Sequence, residues 1–178
     1  MSILAICAAP TVAAWFAYFV WPPQSRANYG ELIEARPLPS LELRRLDGSL
    51  FRFSQLRGKW LMLQIGPGAC AEACRKNLFN MRQSRLAQGK DAERIERVWL
   101  LSDAAVPDAV LLGDYAGMHV VRAPGSPLMT EFPGMRDPGG HIYVIDPLGN
   151  LMLRFPGDPD ARRMMKDLAR LLRASRIG

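Results

Sequence analysis

Apolar and polar positions recur along most of this chain in the periods of strands and helices. Residues 60–65, WLMLQI, are a short apolar run bounded by Gly58 and Gly66, the pattern of an interior strand. Gly66, Pro67 and Gly68 end it, because glycine admits left-handed backbone angles and proline removes a ladder donor. A helix is predicted from about Cys70 to Gln88, with Leu78, Met81 and Leu86 inward and Arg75, Lys76, Arg82 and Arg85 outward; Gly89 stops it. Residues 97–101 read as a second buried strand, ended by Ser102 and Asp103. Pro107 and Asp108 open a short helix over 109–112, and 119–121 is a brief strand. A Gly- and Pro-rich loop, 124–140, leads to a third apolar strand over 141–145. The turn 146–150 returns the chain as a hairpin partner, 151–155. Asp158 is the predicted cap of the last helix, with Pro159 in its first turn. Ala161, Met164, Met165, Leu168, Leu171 and Leu172 recur there at helical spacing and are expected to face a sheet.

Upstream, 41–53 alternates around Asp47-Gly48, a two-residue hairpin signal, and Ser54, Gln55 and Leu56 make a turn of helix before the central strand. Residues 22–39 are polar and hold Pro22, Pro23, Pro37 and Pro39, which reads as an extended tether. Residues 3–21 carry no charge, and their length approaches the ~20 residues of a membrane-spanning helix. Trp15, Phe16, Tyr18, Phe19 and Trp21 crowd its second half like an interfacial belt, so it is read as an uncleaved anchor with Cys7 as an apolar filler. No Lys or Arg precedes it, whereas Arg26, Arg36, Arg44 and Arg45 follow, which by charge alone would hold the domain in the cytoplasm. The predicted organisation is an anchor over 1–21, a linker over 22–39 and one domain over 40–178. Strand–helix alternation closing on a hairpin and a helix predicts an α/β, thioredoxin-like fold: a mixed central sheet with flanking helices, preceded by one transmembrane helix.

Composition adds bounds. The chain has 178 residues, 49% of them hydrophobic, enough for one ordinary domain plus a terminal segment. The net charge of +6 is scattered and reads as a solvated surface, or more weakly as attraction to an anionic membrane or an acidic partner. There is no zinc-finger spacing and no basic stripe interleaved with aromatics, so no nucleic-acid partner is expected.

Of three cysteines, Cys7 lies in the anchor, leaving the domain Cys70 and Cys74. A loop that short removes little entropy from the unfolded chain, so the pair reads as reactive or metal-binding rather than as a staple. On a helix beginning at or just before Cys70, i, i+4 spacing puts both sulfurs on one face, and the helix N-terminus favours thiolate over thiol. Such a pair either cycles through a disulfide or holds a soft metal; the bland alternative is two inert thiols. His141 is a candidate metal ligand, against a strand-edge histidine with a satisfied hydrogen bond. His119 is a weaker one, and Met129 or Met135 could supply a thioether, although most methionines are packing. Asp103 either contacts the site or a partner or caps a turn, and Glu72, between the cysteines, is expected to be exposed.

The stretches LDGSLFRFSQLRGKWLMLQIGPGACAEAC, RVWLLSD and HIYVIDPLGNLMLRF, with the last helix, resemble the Sco/SenC family, membrane-anchored thioredoxin-fold proteins of cytochrome c oxidase assembly. The resemblance spans 39–172, and its specific element is CxxxC after a Gly-Lys-Trp strand. It implies copper binding through two cysteines and a histidine, and delivery or reduction at the dinuclear CuA centre. It also implies a periplasmic or mitochondrial intermembrane location. Cys70 and Cys74 carry over directly as catalytic and metal residues, with His141 the third metal candidate. Aligned on Asp146-Pro147, the family's histidine position falls near Pro138, and Ala71 stands where a proline follows the first cysteine. These departures favour dithiol chemistry and Cu(I), which two thiolates can hold, over Cu(II). The expected function is a membrane-anchored, Sco-like protein that binds and delivers copper for CuA assembly. The alternative is a thiol–disulfide reductase acting on cysteines of an oxidase subunit or another partner; a third is a binding module without copper chemistry. Expected partners are an oxidase subunit or another copper or thiol protein, and the membrane through the N-terminal helix, with the domain in the bacterial periplasm. A peroxidase reading fails, because Pro67 stands where that site wants a threonine.

Overall fold

The structure, a computed structural model, describes residues 10, 15–16, 28–135, 140–175 and 177. In chain order the elements are β1 (Glu31–Pro37), β2 (Leu43–Arg45), β3 (Leu50–Phe51), β4 (Trp60–Gly66), α1 (Glu72–Leu86) and β5 (Ile95–Leu101). Then follow α2 (Ala109–Asp114), β6 (His119–Arg122), β7 (Ile142–Ile145), β8 (Asn150–Phe155) and α3 (Ala161–Ala174). The strands form one sheet in the order β1-β8-β7-β4-β5-β6-β2-β3. β4, β5 and β6 run parallel, and the remaining pairings are antiparallel. This is the predicted α/β arrangement of a mixed central sheet with flanking helices.

Alternation along β4 decides the layers. Trp60 and Met62 join Ile95, Trp99, Leu78, Met81, Met164 and Leu168 in the core beneath α1 and α3. Leu61, Leu63 and Ile65 point the other way, with Val98, Leu100, Tyr143 and Ile145, under Phe51, Leu128 and Phe132. A side chain of this kind, fully buried, contributes about 1.5–3 kcal/mol, which is why a strand apolar on both faces takes the centre.

Four expectations change. Residues 31–37 were predicted within the tether, and 40 as the domain's start; instead β1 pairs antiparallel with β8, from Glu31↔Arg154 to Pro37↔Asn150. Pairing covers the ladder groups that β8 would otherwise expose, and Pro37 is tolerated at the end of an edge strand. The folded unit thus begins before Ser40: the Tyr29 ring lies 6.1 Å from Phe155. Next, α1 begins at Glu72, not Cys70, and Leu86 is 53% exposed. The inward positions include Asn77, Asn80 and Ser84, because α1 packs against the approach to α3, where Asn80 Nδ2 donates to Pro159 O at 3.1 Å. Third, Asp160, not Asp158, caps α3, accepting from Arg163 N–H at 3.0 Å, so Pro159 precedes the cap. Finally, Asp47-Gly48 does join β2 to β3, but inside a three-residue loop closed by Arg45 N–H to Ser49 O at 2.9 Å, with Gly48 at φ 82°.

Among the described residues no helix is long and apolar enough to cross a membrane. The anchor predicted over 1–21 lies, apart from Pro10, Trp15 and Phe16, outside the described residues.

Two predictions follow from this packing. Asp167, 2% exposed, accepts Gly30 N–H at 2.8 Å and Arg170 Nη1 at 3.3 Å, joining the N-terminal segment to α3. Asp167→Ala strands the Gly30 donor and is expected to cost about 2 kcal/mol in urea unfolding, and Asp167→Asn, which keeps an acceptor oxygen, less. His119 stands 5.8 Å from the Phe51 ring, its Nε2 3.5 Å from Glu96 Oε2. Burial holds its imidazole below the ordinary 6.5; Glu96 opposes this and Arg45 adds to it. The unfolded chain then binds more protons than the native one, so stability present at neutral pH is lost as pH falls below 6.5 toward the folded value. His119→Gln should flatten the pH dependence of the melting temperature below about pH 6.5.

Candidate dithiol site

β4 and β5 run parallel and end together, Gly66 beside Leu101, so the loops that follow them meet at one edge of the sheet. Ser102 N–H donates to Gly66 O at 3.0 Å. Asp103 Oδ1 accepts from Gly68 N–H at 2.9 Å and from Ala105 N–H at 3.2 Å, pinning the two loops together. Asp103 therefore both fixes its own turn and contacts the turn that carries the cysteines. Gly68 is required there, since a Cβ would fall 2.2 Å from Ala105 O, a backbone atom that cannot swing aside.

This pinned turn presents the cysteines. Cys70 N–H donates to Pro67 O at 3.1 Å, and Cys70 O accepts from Arg75 Nε at 3.1 Å. Cys70 holds φ 40°, a left-handed conformation that costs a non-glycine residue roughly 1–2 kcal/mol. That is why the helix cannot start at Cys70. Ala71 is the N-cap, with no side-chain cap hydrogen bond, and Cys74 is the third residue of α1. Cys70 and Cys74 are joined by a disulfide, Cα–Cα 5.1 Å. The sulfurs do converge, but across the helix start rather than along one helical face.

Beside the disulfide lies a cavity of ≈ 310 Å³ whose walls include Ile65, Pro67, Ala73, Cys74 and Met135. Gln64 also lines it. This residue was not singled out in the sequence, although it is the polar member of the apolar run WLMLQI. It is 1% exposed, and its Nε2 donates to Cys74 O at 3.4 Å, tying the first turn of α1 to the central strand. Burying an amide in a strand is costly unless it is bonded, so its position was the available signal.

The other candidates are distributed as follows. Met135 reaches the cavity, whereas Met129 is 8% exposed within the core. Glu72 is exposed, as predicted. His119 pairs with Glu96 on neighbouring strands and does not line the cavity. His141 Nδ1 lies 2.9 Å from Phe155 O, with its ring 6.0 Å from that of Tyr143. Among the described residues no three His, Cys, Asp or Glu side chains converge into a group able to hold a metal ion, and Pro138 lies outside the described residues. Chemically, a disulfide that borders a cavity is a two-electron acceptor, and its reduced form offers two soft sulfur donors.

No curated protein matches the sequence. Among solved structures, the chain is similar to yeast Sco1 with copper bound: TM-score 0.65, 14% identity, covering 79% of this chain and 96% of that one. It is similar to Bradyrhizobium japonicum ScoI with copper bound: TM-score 0.58, 17% identity, covering 76% and 99%. The thioredoxin domain of a thiol-disulfide oxidoreductase from Bacteroides vulgatus matches with TM-score 0.59 at 14% identity, covering 80% and 99%. At such identities the shared property is the thioredoxin-like fold. The family model described as transmembrane-like, thioredoxin-like, C-terminal domain matches residues 60–175, and the chain belongs to that family.

Proposed function

We propose that this protein exchanges thiols and disulfides with a partner protein through Cys70 and Cys74. The observation that carries this reading is the Cys70–Cys74 disulfide on the wall of a cavity at the end of the parallel strands. In the reducing direction one cysteine thiolate attacks a partner disulfide and forms a mixed disulfide. The second cysteine resolves it, so two electrons pass to the partner, which leaves with two thiols. The fold shared with a thiol-disulfide oxidoreductase supports this.

A second reading concerns copper as cargo, and Met135 favours it, because its side chain borders the same cavity as Cys74. Two thiolates with a thioether are a soft donor set suited to Cu(I). The likeness to Sco proteins with copper bound supports it as well. His141, which is not among the residues lining that cavity, is the alternative to Met135 as third ligand if its bond to Phe155 O is exchanged for a metal bond. In both readings the acceptor is an oxidase subunit at its CuA centre or another copper or thiol protein. The N-terminal segment anchors the chain, and the domain faces the periplasm.

The test is a redox titration of the full chain against glutathione buffers, with Cu(I) titration of the reduced form. Exchange predicts a reversible two-electron couple that vanishes in Cys70→Ser and in Cys74→Ser. His141→Ala should leave the midpoint within about 30 mV, a tenfold change in equilibrium constant. The copper reading predicts one Cu(I) per reduced chain, lost in Cys70→Ser and weakened in His141→Ala. A chain whose disulfide cannot be reversibly reduced would exclude exchange.

A further inference from the structure

The two sulfurs of the disulfide are not equivalent. Cys70 is 0% exposed and belongs to the core cluster with Leu78 and Trp99. Cys74 is only partly buried and borders the cavity. The cysteine that precedes the helix is sealed, and the one inside its first turn is open. Exchange requires the attacking sulfur to reach the attacked one, so access decides which sulfur reacts first.

We propose that Cys74 is the entry sulfur, the one that forms the mixed disulfide with a partner protein's cysteine, and that Cys70 is the resolving sulfur. This rests on the exchange reading above and assigns its order. In the reducing direction the Cys74 thiolate attacks one sulfur of a partner disulfide. That S–S bond breaks, and the partner's other sulfur leaves as a thiolate and takes a proton from water. The Cys70 thiolate then attacks Cys74 Sγ, which releases the second partner thiolate and forms the Cys70–Cys74 disulfide. A dithiol donor reverses the cycle: its thiolate attacks Cys74 Sγ, and Cys70 is displaced as a thiolate. The second donor thiolate then attacks the donor sulfur of that mixed disulfide and frees Cys74, leaving the donor oxidised. Displacement of Cys70 is favoured at the start of α1, where Ala71 provides no side-chain cap and the first-turn amides present the positive end of the helix. The pinned turn keeps Cys70 close beneath Cys74, ready to resolve.

The full chain carrying Cys7→Ala, with either Cys70→Ser or Cys74→Ser, is mixed with glutathione disulfide, and adduct formation is timed by mass spectrometry. The Cys70→Ser chain, which retains Cys74, should be glutathionylated at least about tenfold faster than the Cys74→Ser chain. Equal rates, or faster reaction at Cys70, overturn the assignment. Because either substitution could disturb the turn, the reduced Cys7→Ala chain with both cysteines is also labelled with substoichiometric iodoacetamide. Peptide mapping should find the first label on Cys74; a first label on Cys70 overturns the assignment. If the disulfide still cycles with dithiothreitol while adducts map to Cys70, the order is wrong and the exchange reading stands. If no reversible disulfide forms, both fall.

Discussion

Burial of β4 on both faces is the constraint from which the rest of the molecule follows. Its residues alternate between two cores, so the strand has one place, at the centre, and one register against β5 and β7. A slip by one residue would exchange the two sets of side chains and bring Gln64 out of reach of Cys74 O. The end of β4 is fixed for the same reason, and with it the turn that carries the cysteines.

That turn is held by hydrogen bonds as well as by packing. Asp103 takes two amides from two loops, Gly68 leaves room for the Ala105 carbonyl, and Gln64 holds the first turn of α1. The result is a short segment with little freedom, one sulfur in the core and the other at a cavity. Preorganisation of this kind costs the local strain of a left-handed Cys70, which the surrounding bonds stabilise. Electron exchange and soft-metal binding each ask for such a geometry, two sulfurs at one point with one side open.

Away from the site, polar groups do the joining. Asp167 ties Gly30 to α3, and Arg94 reaches from the turn after α1 to Leu172 O and Ser175 O at 3.0 and 2.8 Å. These bonds bring the two ends of the folded segment onto the helical face of the sheet. The edge strand β1 then closes the side of the sheet opposite the β2–β3 hairpin.

Much of this was written in the one-dimensional pattern. The apolar runs at 60–65 and 97–101, the turn at Asp146-Asn150 and the helical period of α3 depend on neighbours in sequence, so the sequence by itself determined the order of the elements from β2 onward and the nearness of Cys70 to Cys74. Where the pattern misled, the deciding partner was distant in the chain. β1 became a strand because β8, more than 100 residues later, offered it a ladder, and Asn80 turned inward because Pro159 O was there to meet it. Cys70 left the helix because its turn is bound to residues after β5. Spacing fixed that two sulfurs would be neighbours; only tertiary packing decided which of them is buried, since burial is set by what lies across the sheet and not by position along the chain.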